Sequence, residues 1–166
     1  MLQLAWRQDG IPPISNPLES TYERHHSMVF RTAYRITGNA ADAEDVLQTV
    51  FLRLLSQGDE AGKMDHPESY LRRAAINGSL DVIRRRTPSA GPPDEDSPGV
   101  SSNPEVRHAL RQALAQLDAR HAEMFALRFF EGLSNEEIAT TLGMSKLLVA
   151  VTLHRTRSRL QKMIQG

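Results

Sequence analysis

Residues 87 to 102, TPSAGPPDEDSPGVSS, set the first limit on what this chain can fold into. The stretch is rich in proline, glycine and serine, carries three consecutive acids and has almost nothing to bury, so it is expected to be a flexible linker rather than part of a core. On either side the apolar residues recur every three or four positions, with no convincing alternating strand pattern and no internal repeat. The chain therefore reads as all-α, with two small helical domains joined by a flexible acidic linker. Its 166 residues and 40% hydrophobic content suffice for two small cores. The expected divisions are a loose leader at 1–17, a first domain at 18–86, the linker at 87–102 and a second domain at 103–166.

In the first domain, Leu18, Tyr22, His25, Val29, Ala33 and Ile36 make one apolar stripe, ended by Gly38 and Asn39. Across Ala40 to Leu55 a second helix turns Ala43, Val46, Leu47, Val50 and Leu54 inward, leaving Asp42, Asp45, Gln48 and Arg53 for solvent or a partner. Pro67 suits the first turn of a third helix running to about Arg86, with Tyr70, Leu71, Ala74, Leu80 and Ile83 available for packing. The second domain adds helices over Pro104 to Gln116 and Ala119 to Phe130, and Asn103 before Pro104 is a good helix start.

The stretch from Leu133 to Leu160 reads as a helix-turn-helix. Ser134 can cap its first helix, with Glu137 three residues on in the capping-box position. Gly143 supplies a positive φ for the turn, and Ser145 can cap a second helix running to about Met163. Val149, Leu153, Leu160 and Ile164 recur at helical spacing and should pack that helix onto the first. A second helix so held, basic and without acids, suits a DNA major groove.

The 20 basic and 20 acidic residues cancel, so charge is informative only in its distribution. Between Tyr70 and Arg86, Arg72, Arg73, Arg84, Arg85 and Arg86 face one acid, Asp81, and from Lys146 onward Lys146, Arg155, Arg157, Arg159 and Lys162 are unopposed. Two basic segments in separate parts of a neutral chain suggest two surfaces for a polyanion. With no cysteines there is neither a disulfide framework nor a thiolate metal site, and His25 and His26 point about a hundred degrees apart, a poor ligand pair. The sequence offers no nucleophile, acid-base pair or phosphate loop, and so suggests no enzyme, cofactor, metal or small-molecule substrate. It lacks a signal-peptide core and any apolar run of membrane-spanning length, so a soluble cytoplasmic protein without membrane insertion is expected.

Three segments, DAEDVLQTVFLRLL at 42–55, SYLRRAAINGSLDVIRRR at 69–86 and the Leu117 to Leu160 block containing LDARHAEMFALRFFEGLSNEEIA, resemble the bacterial extracytoplasmic-function sigma factors, the two-domain initiation factors of RNA polymerase. The resemblance covers about residues 18 to 163. It implies that Asp42, Asp45, Gln48 and Leu52 bind core RNA polymerase at its β′ clamp, that the β flap is a second contact, and that Thr49 replaces the family's usual glutamate. It implies that the first domain melts and reads the minus-ten promoter element, with Asn77, Arg84 and Arg85 matching the family's pattern, Arg72, Arg73 and Arg86 holding phosphates, Asp81 orienting its neighbours, and residues around Lys63 to His66 shaping a base pocket. For the second domain it implies minus-thirty-five binding by Ser145, Lys146, Leu148, Val151, Thr152, Arg155, Arg157 and Arg159. Leu148, Ala150, Val151 and Thr152 stand where many members carry polar or basic residues, so this recognition helix is unusually apolar. Promoter DNA, core polymerase and an anti-sigma factor are the implied partners, and Asp94, Glu95 and Asp96 are implied to thread the polymerase's RNA channel. An alternative function is a sigma mimic that sequesters an anti-sigma factor without binding promoters. Another is an ordinary repressor or activator, which leaves residues 18 to 86 unexplained.

Overall fold

The computed structural model describes residues 17–58, 64–86 and 103–166. The leader except Pro17, the linker with its acids Asp94, Glu95 and Asp96, and Lys63 lie outside the described residues. Among the described residues there are seven helices and no strand: α1 (Pro17–Thr37), α2 (Ala40–Ser56), α3 (Pro67–Arg85), α4 (Pro104–Gln116), α5 (Ala119–Phe129), α6 (Asn135–Leu142) and α7 (Lys146–Gln165). Pro17 opens α1 rather than closing the leader.

Local chemistry sets most of these boundaries. α1 stops at Gly38, whose φ of 69° is left-handed and whose amide donates to Tyr34 O at 2.8 Å. Asn39 then turns extended, and its Oδ1 accepts from the Asp42 amide at 3.0 Å to start α2. Pro67 occupies the first turn of α3, where a missing N–H costs nothing. Asn103 and Asp118 cap α4 and α5 by accepting from Glu105 and His121 amides, both at 2.9 Å. The His121 amide bond is the main reason that the Asp118 carboxyl is held below the usual carboxylate range.

α1, α2 and α3 enclose a core of Val29, Ala33, Val46, Leu47, Val50, Leu54, Leu71 and Ala75. Burying a large aliphatic side chain of this kind contributes about 1.5–3 kcal/mol. The expected stripe of α1 is fully buried only at its C-terminal end, with Leu18 half-buried against the same core. Tyr22, at 42% exposure, lies at the rim, stacked on His26 and edge-on to Phe51, and His25 is only half-buried. Tyr70 likewise stays 39% exposed, its hydroxyl accepting from Gln57 Nε2 at 3.4 Å.

The second core does not belong to the second half alone. Ile36 of α1 and Ile76, Leu80 and Ile83 of α3 pack into one cluster with Leu114, Met124, Leu127, Ile138, Val149 and Leu160 of α4 to α7. The two halves therefore share apolar surface. A buried cation pins them together: Arg111 of α4 sends Nε to Ile36 O at 2.8 Å, taking up one of the last carbonyls of α1. Its guanidinium lies over Gly38, where an ideal Cβ would fall 2.6 Å from Arg111 Cζ.

Gly38 thus supplies both a left-handed turn and room for a guanidinium, whereas Gly143, with φ 67°, has no atom within 4 Å of its absent Cβ. Gly143→Ala should cost only the left-handed penalty of about 1–2 kcal/mol, and Gly38→Ala should cost more because Arg111 must also move. Urea unfolding of the two variants checks this: equal losses would show that Arg111 does not depend on the open space at residue 38.

Candidate nucleic-acid interface

The first basic segment lies along α3, and much of its charge is engaged within the protein. Arg73 Nε meets Glu123 Oε1 of α5 at 2.6 Å, and Arg72 Nε meets Glu131 Oε2 at 3.4 Å while its Nη2 meets Glu68 Oε1 at 3.0 Å. Arg35 of α1 joins the same Glu131 at 3.6 Å, so two cations from the first half converge on one buried carboxylate of the second. Arg84 spans the halves as well, with Nη1 at 3.3 Å from Asp81 Oδ1 and Nη2 donating to Leu117 O at 3.4 Å. Asp81 thus orients Arg84, and its carbonyl accepts from Arg85 Nε at 3.3 Å. Arg86 pairs with Asp42 of α2, and Asn77 is half-buried. Arg72, Arg73 and Arg84 thus reach across to the second half, where Glu123, Glu131 and Leu117 receive them. None of these three receivers was among the residues singled out from the sequence, since only the tertiary fold places them opposite α3.

On α2, Asp45, Gln48 and Leu52 are exposed at helical spacing, and Leu55 extends the line; Leu52 and Leu55 are 63% and 56% exposed. Asp42, the fourth proposed polymerase contact, sits at the head of this helix, partly buried against Arg86. Leu55 was missed as a surface residue, although the 45, 48, 52, 55 periodicity of α2 already put it on this face.

The helix-turn-helix is built as its sequence dictates. Ser134 Oγ accepts from the Glu137 amide at 3.1 Å, Met144 N donates to Ala139 O at 2.9 Å across the left-handed Gly143, and Ser145 Oγ accepts from the Leu148 amide at 3.1 Å. Ser145, proposed as a DNA contact, is therefore also the cap of α7. Val149, Leu153, Thr156 and Leu160 are buried along one side of α7, which turns the opposite side outward. That outer side begins with Leu147, Leu148 and Val151, at 74%, 50% and 38% exposure, and continues with exposed Arg155 and Arg159. Lys146 and Arg157 are exposed on its flank and Thr152 is half-buried. α7 contains no acid, and Lys146, Arg155, Arg157 and Arg159 take part in no ion pair among the described residues.

Among the described residues no group of three or more acids and histidines could hold a metal ion, and no helix is long and apolar enough to cross a membrane. Residues 21–88 match the sigma-70 region 2 family and residues 107–160 match sigma-70, region 4. The chain is 31% identical over 146 residues to the ECF RNA polymerase sigma factor SigL of Mycobacterium tuberculosis, covering 82% of each chain. This protein belongs to the extracytoplasmic-function (ECF) sigma factors. Other similar proteins include the ECF RNA polymerase sigma factor SigE of Mycolicibacterium smegmatis, 36% identical over 83% of this chain and 58% of that one. The RNA polymerase sigma-E factor of Streptomyces avermitilis is 31% identical over 83% of this chain and 79% of its own length. In fold the ECF sigma factor resembles the structure of CnrH in complex with the cytosolic domain of CnrY, with a TM-score of 0.54 at 21% identity, covering 89% of this chain and 87% of that one. The function that follows is promoter-directed initiation of transcription, and the sigma-mimic alternative is not favoured when both DNA-binding regions are matched. Sigma factors are transcription regulators rather than enzymes, and core RNA polymerase and promoter DNA are the partners of the family.

Proposed function

We propose that this ECF sigma factor docks on the β′ clamp of core polymerase through Asp45, Gln48 and Leu52 of α2, with Asp42 at the head of the helix. Its 103–166 domain sits at the β flap and binds the minus-thirty-five element through α7, while the 18–86 domain melts and holds the minus-ten region. The observation that carries this division is the unequal state of the two basic surfaces. Lys146, Arg155, Arg157 and Arg159 on α7 make no ion pair among the described residues, which leaves them for duplex phosphates. Arg72 and Arg73 on α3 are held by Glu131 and Glu123 of the other half.

Single-stranded DNA then has to compete with those carboxylates for the α3 arginines, so the two halves part before the minus-ten strand is held. Asn77, Arg84, Arg85 and Arg86 complete that strand-binding surface beside Arg72 and Arg73. Cationic side chains of this kind follow a melted backbone, and pockets take up flipped bases. The protein works in the cytoplasm, where core polymerase is. CnrH is seen bound to the cytosolic domain of CnrY, and by that likeness an anti-sigma protein is a further partner here.

Asp45→Arg with Gln48→Ala should weaken core polymerase binding without loss of helical signal, because both side chains are exposed. Unchanged affinity in a core-binding titration contradicts the docking face. Arg84→Ala with Arg85→Ala should impair melting, read by permanganate reactivity of the bubble, more than closed-complex binding. Arg155→Ala with Arg159→Ala should weaken closed-complex binding to duplex and reduce the slope of log affinity against log salt by about 2, since each phosphate contact contributes about 0.9. Equal closed-complex defects in both double variants, with normal melting of what binds, would remove the division of labour.

A further inference from the structure

The outer side of α7 poses a chemical problem that its cations do not answer. In a helix-turn-helix the first turns of the second helix meet the base edges, while residues farther along hold the backbone. Here those first turns carry Leu147, Leu148 and Val151, all exposed, and the cations Arg155 and Arg159 follow one to two turns later. The burial of Val149 and Leu153 against the rest of the domain fixes the rotation of α7, so the apolar trio cannot turn inward.

Major-groove edges present hydrogen-bond donors and acceptors at every base pair, and one apolar group, the C5 methyl of thymine. A leucine or valine set against guanine N7 and O6, or against the amino group of cytosine, strips water from polar atoms and returns no hydrogen bond. Set against thymine methyls, the same side chains bury apolar surface on both partners. The charge of α7 selects the class of partner: it has no acid, and Lys146 beside the patch and Arg155, Arg157 and Arg159 farther along the helix have no ion-pair partner among the described residues, which suits a polyanion rather than a second apolar protein face. We propose that Leu147, Leu148 and Val151 form a methyl-reading surface, and that the upstream promoter element of this sigma factor is specified by neighbouring thymines, with affinity supplied by the arginines. This rests on the assignment of α7 to duplex DNA and adds the base chemistry that it recognises.

The test begins with selection of duplexes from a randomised pool by holoenzyme formed from core polymerase and the full chain. The selected upstream element should contain adjacent thymines on one or both strands. Replacing those thymines by deoxyuridine removes only the methyl groups, and each methyl lost should weaken binding about fourfold, the factor expected for one buried apolar carbon. Leu148→Ala with Val151→Ala, both exposed positions, should lose most of the preference for thymine over uracil duplexes, with Leu147 retaining the remainder. Arg155→Ala should weaken both duplexes and keep the preference for thymine. A selected element without thymines, or equal binding of thymine and uracil duplexes by the unaltered protein, overturns the proposal while leaving duplex recognition by α7 intact. Failure to select any upstream element overturns the assignment of α7 to duplex DNA, and the proposal with it. Loss of core polymerase affinity in the Leu148→Ala, Val151→Ala variant, with its uracil discrimination unchanged, would give the patch to a protein surface instead.

Discussion

The buried contact between Arg111 and the end of α1 governs how the rest of the molecule is arranged. A helix leaves its last carbonyls unpaired and carries partial negative charge there, so a guanidinium from elsewhere in the chain is a suitable cap. Arg111 provides it from α4, 75 residues away, by donating to Ile36 O. Burial lowers the Arg111 pKa to about 10, with further lowering from Arg107 and Arg86, yet the group remains charged at neutral pH. The bond from its Nε to Ile36 O offsets part of the cost of burying a cation this deep. With Arg111 seated, Ile36, Ile76, Leu80 and Ile83 become part of the second core, and Glu123 and Glu131 come within reach of Arg73 and Arg72.

The parts of this architecture that were legible in the sequence are those decided within a few residues. Ser134, Ser145, Asn103 and Gly143 set helix ends through contacts to their immediate neighbours, and the inward stripes of α2 and α7 follow from a period of 3.6. The packing of one half on the other was not legible, because nothing local marks Arg111 as a cap for Ile36 or Glu123 as a partner for Arg73. Charged residues on amphipathic helices usually face water, and only the tertiary fold makes these an exception. Tyr22 and Tyr70 show the opposite failure: each has the right spacing for a core residue, but lies in the first part of its helix, where Phe51 and Gln57 cover it only in part.

The closed arrangement bears directly on function. An open promoter complex joins two elements whose centres lie about 25 base pairs apart, roughly 85 Å along straight duplex at about 3.4 Å per pair. A packed chain of this length has a radius of gyration of only about 15 Å. Under the proposed separation, the contour length of the sixteen residues 87–102, roughly 55 Å, added to the two halves covers that span. In the structure Arg72 and Arg73 are met by the protein's own carboxylates. The proposed parting of the halves would free them for melted DNA.

The most direct test uses the absence of cysteine from the chain. Single cysteines placed at exposed Glu23 on α1 and Gln161 on α7 can carry a pair of spin labels or dyes. The distance between them should form one short population in the free protein and lengthen by tens of ångströms, as the span between promoter elements requires, in a promoter complex that is making transcript. An unchanged short distance in that transcribing complex would contradict the account, because the arginines of α3 would then remain covered while the promoter is open.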